Sequence, residues 1–210
     1  MALSKIDVAN MLTGEVPNAN VATVGVAKGG TGLTSGTSGQ FLKFTGSTTL
    51  ASAAGGGITM ANAWRLSSAL AGAADPITSN WEELDTDGYG DIGTAMSNSS
   101  GVFTFRSTGI YLIHIFCNVG KDAESTYNMF GLETTTNNSS FGGAAEARVY
   151  ISGGDGDETQ SGYSNFIFDV TDTTTHKIRF KFSTQNTATL RSDTSNQIGT
   201  GFTIIRLGDT

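Results

Sequence analysis

Cysteine is nearly absent from this chain. Among 210 residues there is one, Cys117. That excludes an intrachain disulfide framework and any multi-cysteine zinc site. Cys117 lies in an apolar run, which predicts a buried, inert thiol. Charge is also sparse, with 15% Asp, Glu, Lys and Arg against about 25% in ordinary globular domains. What charge there is leans acidic, net −7. A nucleic-acid binder needs a basic footprint to release counterions, and an anionic membrane surface asks for the same, so both partners are disfavoured. No run approaches the ~18 apolar residues of a membrane helix. The N-terminal MALSKIDVANML lacks the long apolar core of a secretory signal. The expectation is a soluble chain made in a cytosol, with no membrane insertion.

The catalytic inventory is equally thin. Only His114 and His176 are present. His114 sits in a strand-like apolar run and is expected to be a hydrogen-bonded core histidine. His176 stands among threonines and is expected to be solvated. The chain has no G-x-S-x-G elbow and no H-E-x-x-H. Its Gly29-Gly30-Thr31-Gly32 lacks the GK[ST] ending of a phosphate loop. Asp85-Thr86-Asp87-Gly88-Tyr89-Gly90-Asp91 opens like a calcium loop. The glutamate required at the twelfth position is Met96 instead. Asp-Gly turns explain this segment, and the one at Asp155 and Asp157, without metal. The expectation is no enzyme, no cofactor and no metal.

What the chain has is glycine (28), phenylalanine (12) and many uncharged polar residues. These are unevenly shared. Residues 1–60 hold 11 of the glycines and only two aromatics, Phe41 and Phe44, with a net charge of +1. Such a segment cannot bury enough apolar surface to offset its own ordering entropy. It is expected to be an anchoring arm or short shaft, held by sister chains or a larger particle. Ser4-Lys5-Ile6-Asp7 reads as a helix start, and Ile6, Val8, Met11 and Leu12 follow as apolar anchors. Val24 and Val26 lie in a strand-like stretch. Phe41 to Phe44 reads as another strand, and Gly55-Gly56-Gly57 as the hinge to a head over 61–210.

The head shows no long 3.6-residue periodicity. Its apolar runs are short and regularly spaced, with turn signals between them. Strands are expected near 63–70, 77–84, 92–97, 102–106, 110–119, 127–134, 145–151, 162–170, 175–182, 187–191 and 199–207. This predicts an all-β fold, an antiparallel two-sheet jelly-roll sandwich of about ten strands. Lys177 to Phe182 alternates, with Ile178, Phe180 and Phe182 inward. The 110–117 run differs, because both faces are apolar: Ile110, Leu112, His114 and Phe116 on one, Tyr111, Ile113, Ile115 and Cys117 on the other. Residues 201–207 are similarly two-sided. One face should fill the core and the other meet an identical subunit. Tyr111, Ile113, Ile115, Phe202 and Ile204 are assigned to that interface. Polar loops carrying Thr135, Asn137, Asn138, Asp155 and Asp157 are expected to face a receptor.

Two segments carry family resemblances. Val24-Gly25-Val26-Ala27-Lys28-Gly29-Gly30-Thr31-Gly32 resembles the V-x-x-GGTG element that recurs in bacteriophage tail-fibre and other appendage proteins. Gly101-Val102-Phe103-Thr104-Phe105-Arg106-Ser107-Thr108-Gly109-Ile110-Tyr111 resembles the G-x-F-T-x-x-x-x-G-x-Y element of complement globular-head and tumour-necrosis-factor-like jelly rolls. The 199–207 strand is similar to that family's closing strand. The second resemblance implies a trimeric jelly roll. The animal members follow a collagen stalk or a membrane anchor, and this sequence shows neither. Together the resemblances imply a bacteriophage virion protein: a homotrimeric short fibre or spike, bound to other virion proteins through its arm and to a host surface glycan or outer-membrane protein through its head. A capsid decoration protein is the alternative, and a polysaccharide-degrading spike a third reading.

Overall fold

The computed structural model describes residues 36–47, 49–53, 57–121, 124–152, 158–192 and 197–210. The expected anchors Ile6, Val8, Met11, Leu12, Val24 and Val26, and the loop residues Asp155 and Asp157, lie outside the described residues. Backbone contacts divide the chain into two units with the break after Gly57.

In the first unit, β1 (Phe41–Gly46) pairs antiparallel with β2 (Thr49–Ala53). The strand expected at Phe41 to Phe44 lies within β1. Phe41, Leu42 and Phe44 are all exposed.

The second unit is a sandwich of two antiparallel sheets, and its described residues contain no helix. Its strands are β3 (Ala61–Leu66), β4 (Leu70–Ala71), β5 (Trp81–Glu83), β6 (Ser97–Ser99), β7 (Val102–Thr104), β8 (Gly109–Lys121), β9 (Ser125–Thr135), β10 (Gly142–Ile151), β11 (Glu158–Val170), β12 (Lys177–Thr184), β13 (Thr189–Leu190) and β14 (Gly201–Gly208). Five strands run β10-β9-β12-β7-β6. Seven form the other sheet, β4-β13-β8-β14-β3-β5 with β11 along the opposite edge of β8. The expected two-sheet architecture is present. The strand number is higher than ten because short two- and three-residue strands, with too little pattern to read, flank the long ones.

The core follows from alternation. On β12, Ile178, Phe180 and Phe182 point inward and are essentially fully buried. Phe103 of β7 belongs to the same sheet. It meets Trp64 of β3 and Phe202 of β14 edge-on at 5.1 and 4.9 Å between ring centroids. Phe180 stacks on Phe202 at 4.6 Å. Edge-to-face and offset rings are the favoured aromatic geometries, and here they join the two sheets. The β6–β7 hairpin turns on Ser100 and Gly101, with φ of 49° and 78°. Two consecutive positive φ values match a primed two-residue turn, which suits the twist of paired strands. Glycine is required at Gly101 for space as well, because a Cβ there would stand 2.0 Å from the Ile77 carbonyl oxygen.

The outward face of β12 is less solvated than alternation alone suggests. Arg179 Nε and Lys181 Nζ donate to Glu133 of β9 at 2.6 and 2.8 Å, and Arg179 also lies over the Phe141 ring. Desolvation pushes the Glu133 carboxyl up, but hydrogen bonds and charge from Lys181 and Arg179 outweigh it and hold the group below its usual value of 4.5. A carboxyl depressed in the folded state stabilises above its unfolded pKa, and that contribution disappears as pH falls through the folded value. Glu133→Gln is therefore expected to lower stability by about 2 kcal/mol at pH 7. The gap should close as pH drops below 4.5 towards the folded pKa. Urea unfolding of both proteins across that interval checks it. A gap independent of pH would mean that the ion pairs contribute nothing.

Candidate self-association surface

Strands β8, β11 and β14 are paired residue by residue, so the occupants of each face can be read directly. Ile113 faces Phe166 and Ile204 across the two ladders, and Tyr111 lies opposite Phe168. These side chains fill the sandwich. Tyr111, Ile113, Ile115, Phe202 and Ile204, assigned from sequence to a subunit interface, are at most 1% exposed within a single chain. The expected division of faces is thus reversed. Both rows of β8 are apolar, so alternation alone could not decide between them. Partner strands decide it: β11 carries Phe166, Phe168 and Val170 on the Tyr111 side and Ser161, Asn165 and Asp169 on the other. The Tyr111 hydroxyl completes the burial by donating to the Ser107 carbonyl at 2.8 Å.

The outer face carries the opposite row: Ile110, Leu112, His114 and Phe116 on β8, all half-buried. Opposite them on β11 stand Asp169, Ile167, Asn165 and Tyr163, and on β14 Ile205, Thr203 and Gly201. Ile167 is 61% exposed and Tyr163 75%. From Leu112 to Phe116, from Tyr163 to Ile167 and from Gly201 to Ile205, this face has no Asp, Glu, Lys or Arg. Asp169 marks one end. On the neighbouring strand the Arg65 guanidinium is neutralised by Glu82 at 2.6 Å, with Asp85 at 3.8 Å. The row from Ile110 to Phe116 is about 20 Å long at strand rise. It is a flat, uncharged surface studded with large apolar side chains.

His114 lies in the middle of it. It is hydrogen-bonded, as expected, but through Nδ1 to Asn165 Oδ1 at 2.6 Å on the outer face, not in the core. Its ring sits 5.8 Å from Phe116 and 6.1 Å from Tyr163. A depression of about 540 Å³ opens beside it, lined by Phe116, Asn118, Ser161, Tyr163 and Ile198 among others. His176 departs from expectation in the other direction. It is 8% exposed, within reach of the Thr171 and Thr175 hydroxyls and against the Phe168 ring. Cys117 is buried as expected, and burial pushes its thiol up to about 11. That keeps it protonated and inert.

The expected receptor loop is only partly available. Thr135 is 2% exposed at the end of β9. Asn137 and Asn138 are exposed. Asn137 Oδ1, however, accepts from Thr135 Oγ1, Ser139 N, Ser139 Oγ and Ser140 N at 2.9–3.0 Å. The amide oxygen that sequence offers to a ligand is consumed in holding its own loop. Among the described residues no group of three or more His, Cys, Asp or Glu side chains is placed to hold a metal ion, and no helix is long and apolar enough to cross a membrane.

No family model matches the chain, and no curated protein matches it in sequence. Solved structures do match in shape. Eiger TNF from S. frugiperda superposes with a TM-score of 0.53 at 14% identity, over 73% of this chain and 95% of its own. Murine APRIL matches over 70% of this chain and 98% of its own at 15% identity, with a TM-score of 0.49. At such identities the likeness speaks for the fold, a TNF-like antiparallel jelly roll.

Proposed function

We propose that the chain is a bacteriophage virion structural protein, a homotrimeric short fibre or spike. Its glycine-rich arm attaches to the particle and its jelly-roll head binds the host cell surface, without catalysis. The observation that carries the self-association is the uncharged outer face of β8, β11 and β14. A monomer that left Leu112, Phe116, Tyr163, Ile167 and Ile205 wet would expose a contiguous apolar surface of a kind uncommon outside interfaces. Three copies, as the Gly101–Tyr111 resemblance implies, bury that face. The Val24–Gly32 resemblance supports the virion setting. Several heads per particle would multiply a modest single-site affinity into firm attachment.

A second reading, a capsid decoration protein, is favoured by the Asn137 loop, whose polar groups are turned on one another instead of outward. The two readings separate in one experiment. Purified full-length protein, added to host cells before infection, is expected to bind them and block adsorption at least tenfold. No binding, together with early heat rupture of particles lacking the protein, would replace attachment with decoration.

A further inference from the structure

The outer face of β8, β11 and β14 carries at its centre a side chain of the one type that ordinarily changes charge between pH 5 and 8. His114 stands on β8 between Leu112 and Phe116 in the outer row, opposite Asn165 on β11 and Thr203 on β14. Its Nδ1 lies 2.6 Å from Asn165 Oδ1. An amide oxygen only accepts, so Nδ1 carries the ring proton and Nε2 is the bare nitrogen. Among the described residues Nε2 has no hydrogen-bond partner. The rings of Phe116 and Tyr163 flank the imidazole. In this tautomer the imidazole is neutral, oriented by a single bond and bordered by large apolar groups.

The charged groups along each ladder are engaged elsewhere or distant. Across β14, Thr203 pairs with Ala63 of β3. The Ala63 amide donates to the Tyr89 hydroxyl, which in turn donates to Asp91. Arg65 stands opposite Gly201, with its guanidinium on Glu82 and near Asp85. On β11, Asp169 faces Ile110. It lies four positions along the strand from Asn165, about 13 Å at strand rise. Tyr163 is the other titratable group beside the ring, and phenols stay neutral in this pH range. Among the described residues no carboxylate is paired with His114.

We propose that His114 makes the self-association reversible by acid: a proton on the imidazole puts a charge without a counter-ion in the middle of the covered face, and the copies separate. The proposal rests on the reading above, in which identical copies cover this face. The partner then brings the same uncharged row and supplies no carboxylate. An ionised group buried without a partner is strongly disfavoured. In the released chain the ring is open to water and charges at little cost. The released chain therefore binds more protons than the assembled one. By linkage, association is full above the ordinary histidine value of about 6.5 and weakens as pH falls through it. With one proton taken up per released chain, the weakening at about pH 5.5 is about tenfold per chain and about a thousandfold for three.

Sedimentation of the full chain on serial dilution, at about pH 7.5 and about pH 5.5, brackets the histidine range and reads the trimer–monomer constant. Exchange of subunits between a tagged and an untagged preparation gives the same comparison where the trimer is too tight to dilute apart. The wild-type constant is expected to weaken about a thousandfold at the lower pH. Far-ultraviolet circular dichroism should be unchanged, and the trimer should return when the pH is restored. The chain has only two histidines, so substitution identifies the group. His114→Gln keeps a donor for Asn165 and takes up no proton, so it should stay associated at both pH values. His114→Lys should be dissociated at both. His176→Gln, at a ring packed against Phe168, should dissociate in acid as wild type does. A wild-type trimer equally stable at both pH values, or a His114→Gln protein that still dissociates in acid, would overturn the proposal and leave the interface standing. A wild-type chain that is monomeric at the higher pH would overturn the interface itself, and the proposal with it.

Discussion

If the proposed trimer forms, Ile167→Asp is expected to run as a folded monomer in light scattering, where the wild-type chain is expected to run as a trimer. Ile167 stands at 61% exposure, in the middle of the β11 row that faces away from the core. Its substitution leaves the packing of a single chain intact. In the assembly it replaces a side chain whose burial contributes roughly 1.5–3 kcal/mol by a carboxylate that must be desolvated against Leu112 or its equivalents. A symmetric trimer repeats the penalty three times. Far-ultraviolet circular dichroism should be unchanged, while the mass falls threefold. The partner experiment is Ile113→Asp. Ile113 is one residue out of phase with the outer row and fully buried between the sheets. An unpaired carboxylate there has no water and no cation, so this variant is expected not to fold at all. A monomeric wild type, or an Ile167→Asp protein that remains trimeric, would remove the outer face as the interface.

That contrast also measures what residues alone could tell. The strands of the long ladders were legible, because an apolar period of two runs from Tyr111 to Val119 on β8 and from Ile178 to Phe182 on β12, and over the shorter stretches Phe166 to Val170 on β11 and Phe202 to Ile204 on β14. Their phase was legible only where one face was polar. On β12 the cations marked the outside. On β8 nothing did, since Ile110 to Phe116 and Tyr111 to Cys117 are equally apolar. Only the register against β11 and β14 separates them. The same limit explains the histidines. His114 sits on a row that sequence could not orient. His176 follows a threonine turn that folds back over Phe168, a contact no local pattern encodes. Thr135 and Asn137 looked like exposed ligand groups because side-chain hydrogen bonds within a loop are invisible until its backbone path is known.

Phe103→Ala is the substitution expected to cost the sandwich most without altering its charge. Phe103 is fully buried and touches rings from four strands: Trp64 on β3, Trp81 on β5, Phe180 on β12 and Phe202 on β14, with centroids 4.9–5.7 Å apart. Three of those rings belong to the seven-stranded sheet, while β7, which bears Phe103, and β12 belong to the five-stranded one. Removing the ring therefore opens the junction between layers. Truncation of a buried Phe costs about 3–5 kcal/mol, from lost transfer energy and the cavity left behind. The edge-to-face contacts argue for the upper part of that range. The site is poorly able to collapse, because β7 is only three residues long and pinned between β6 and β12. Urea unfolding should show a lowered midpoint with an unchanged slope. Phe103→Leu, which refills most of the volume, should recover a large part of the loss. A cost below about 1 kcal/mol for Phe103→Ala would mean that the aromatic cluster is not what holds the two sheets together.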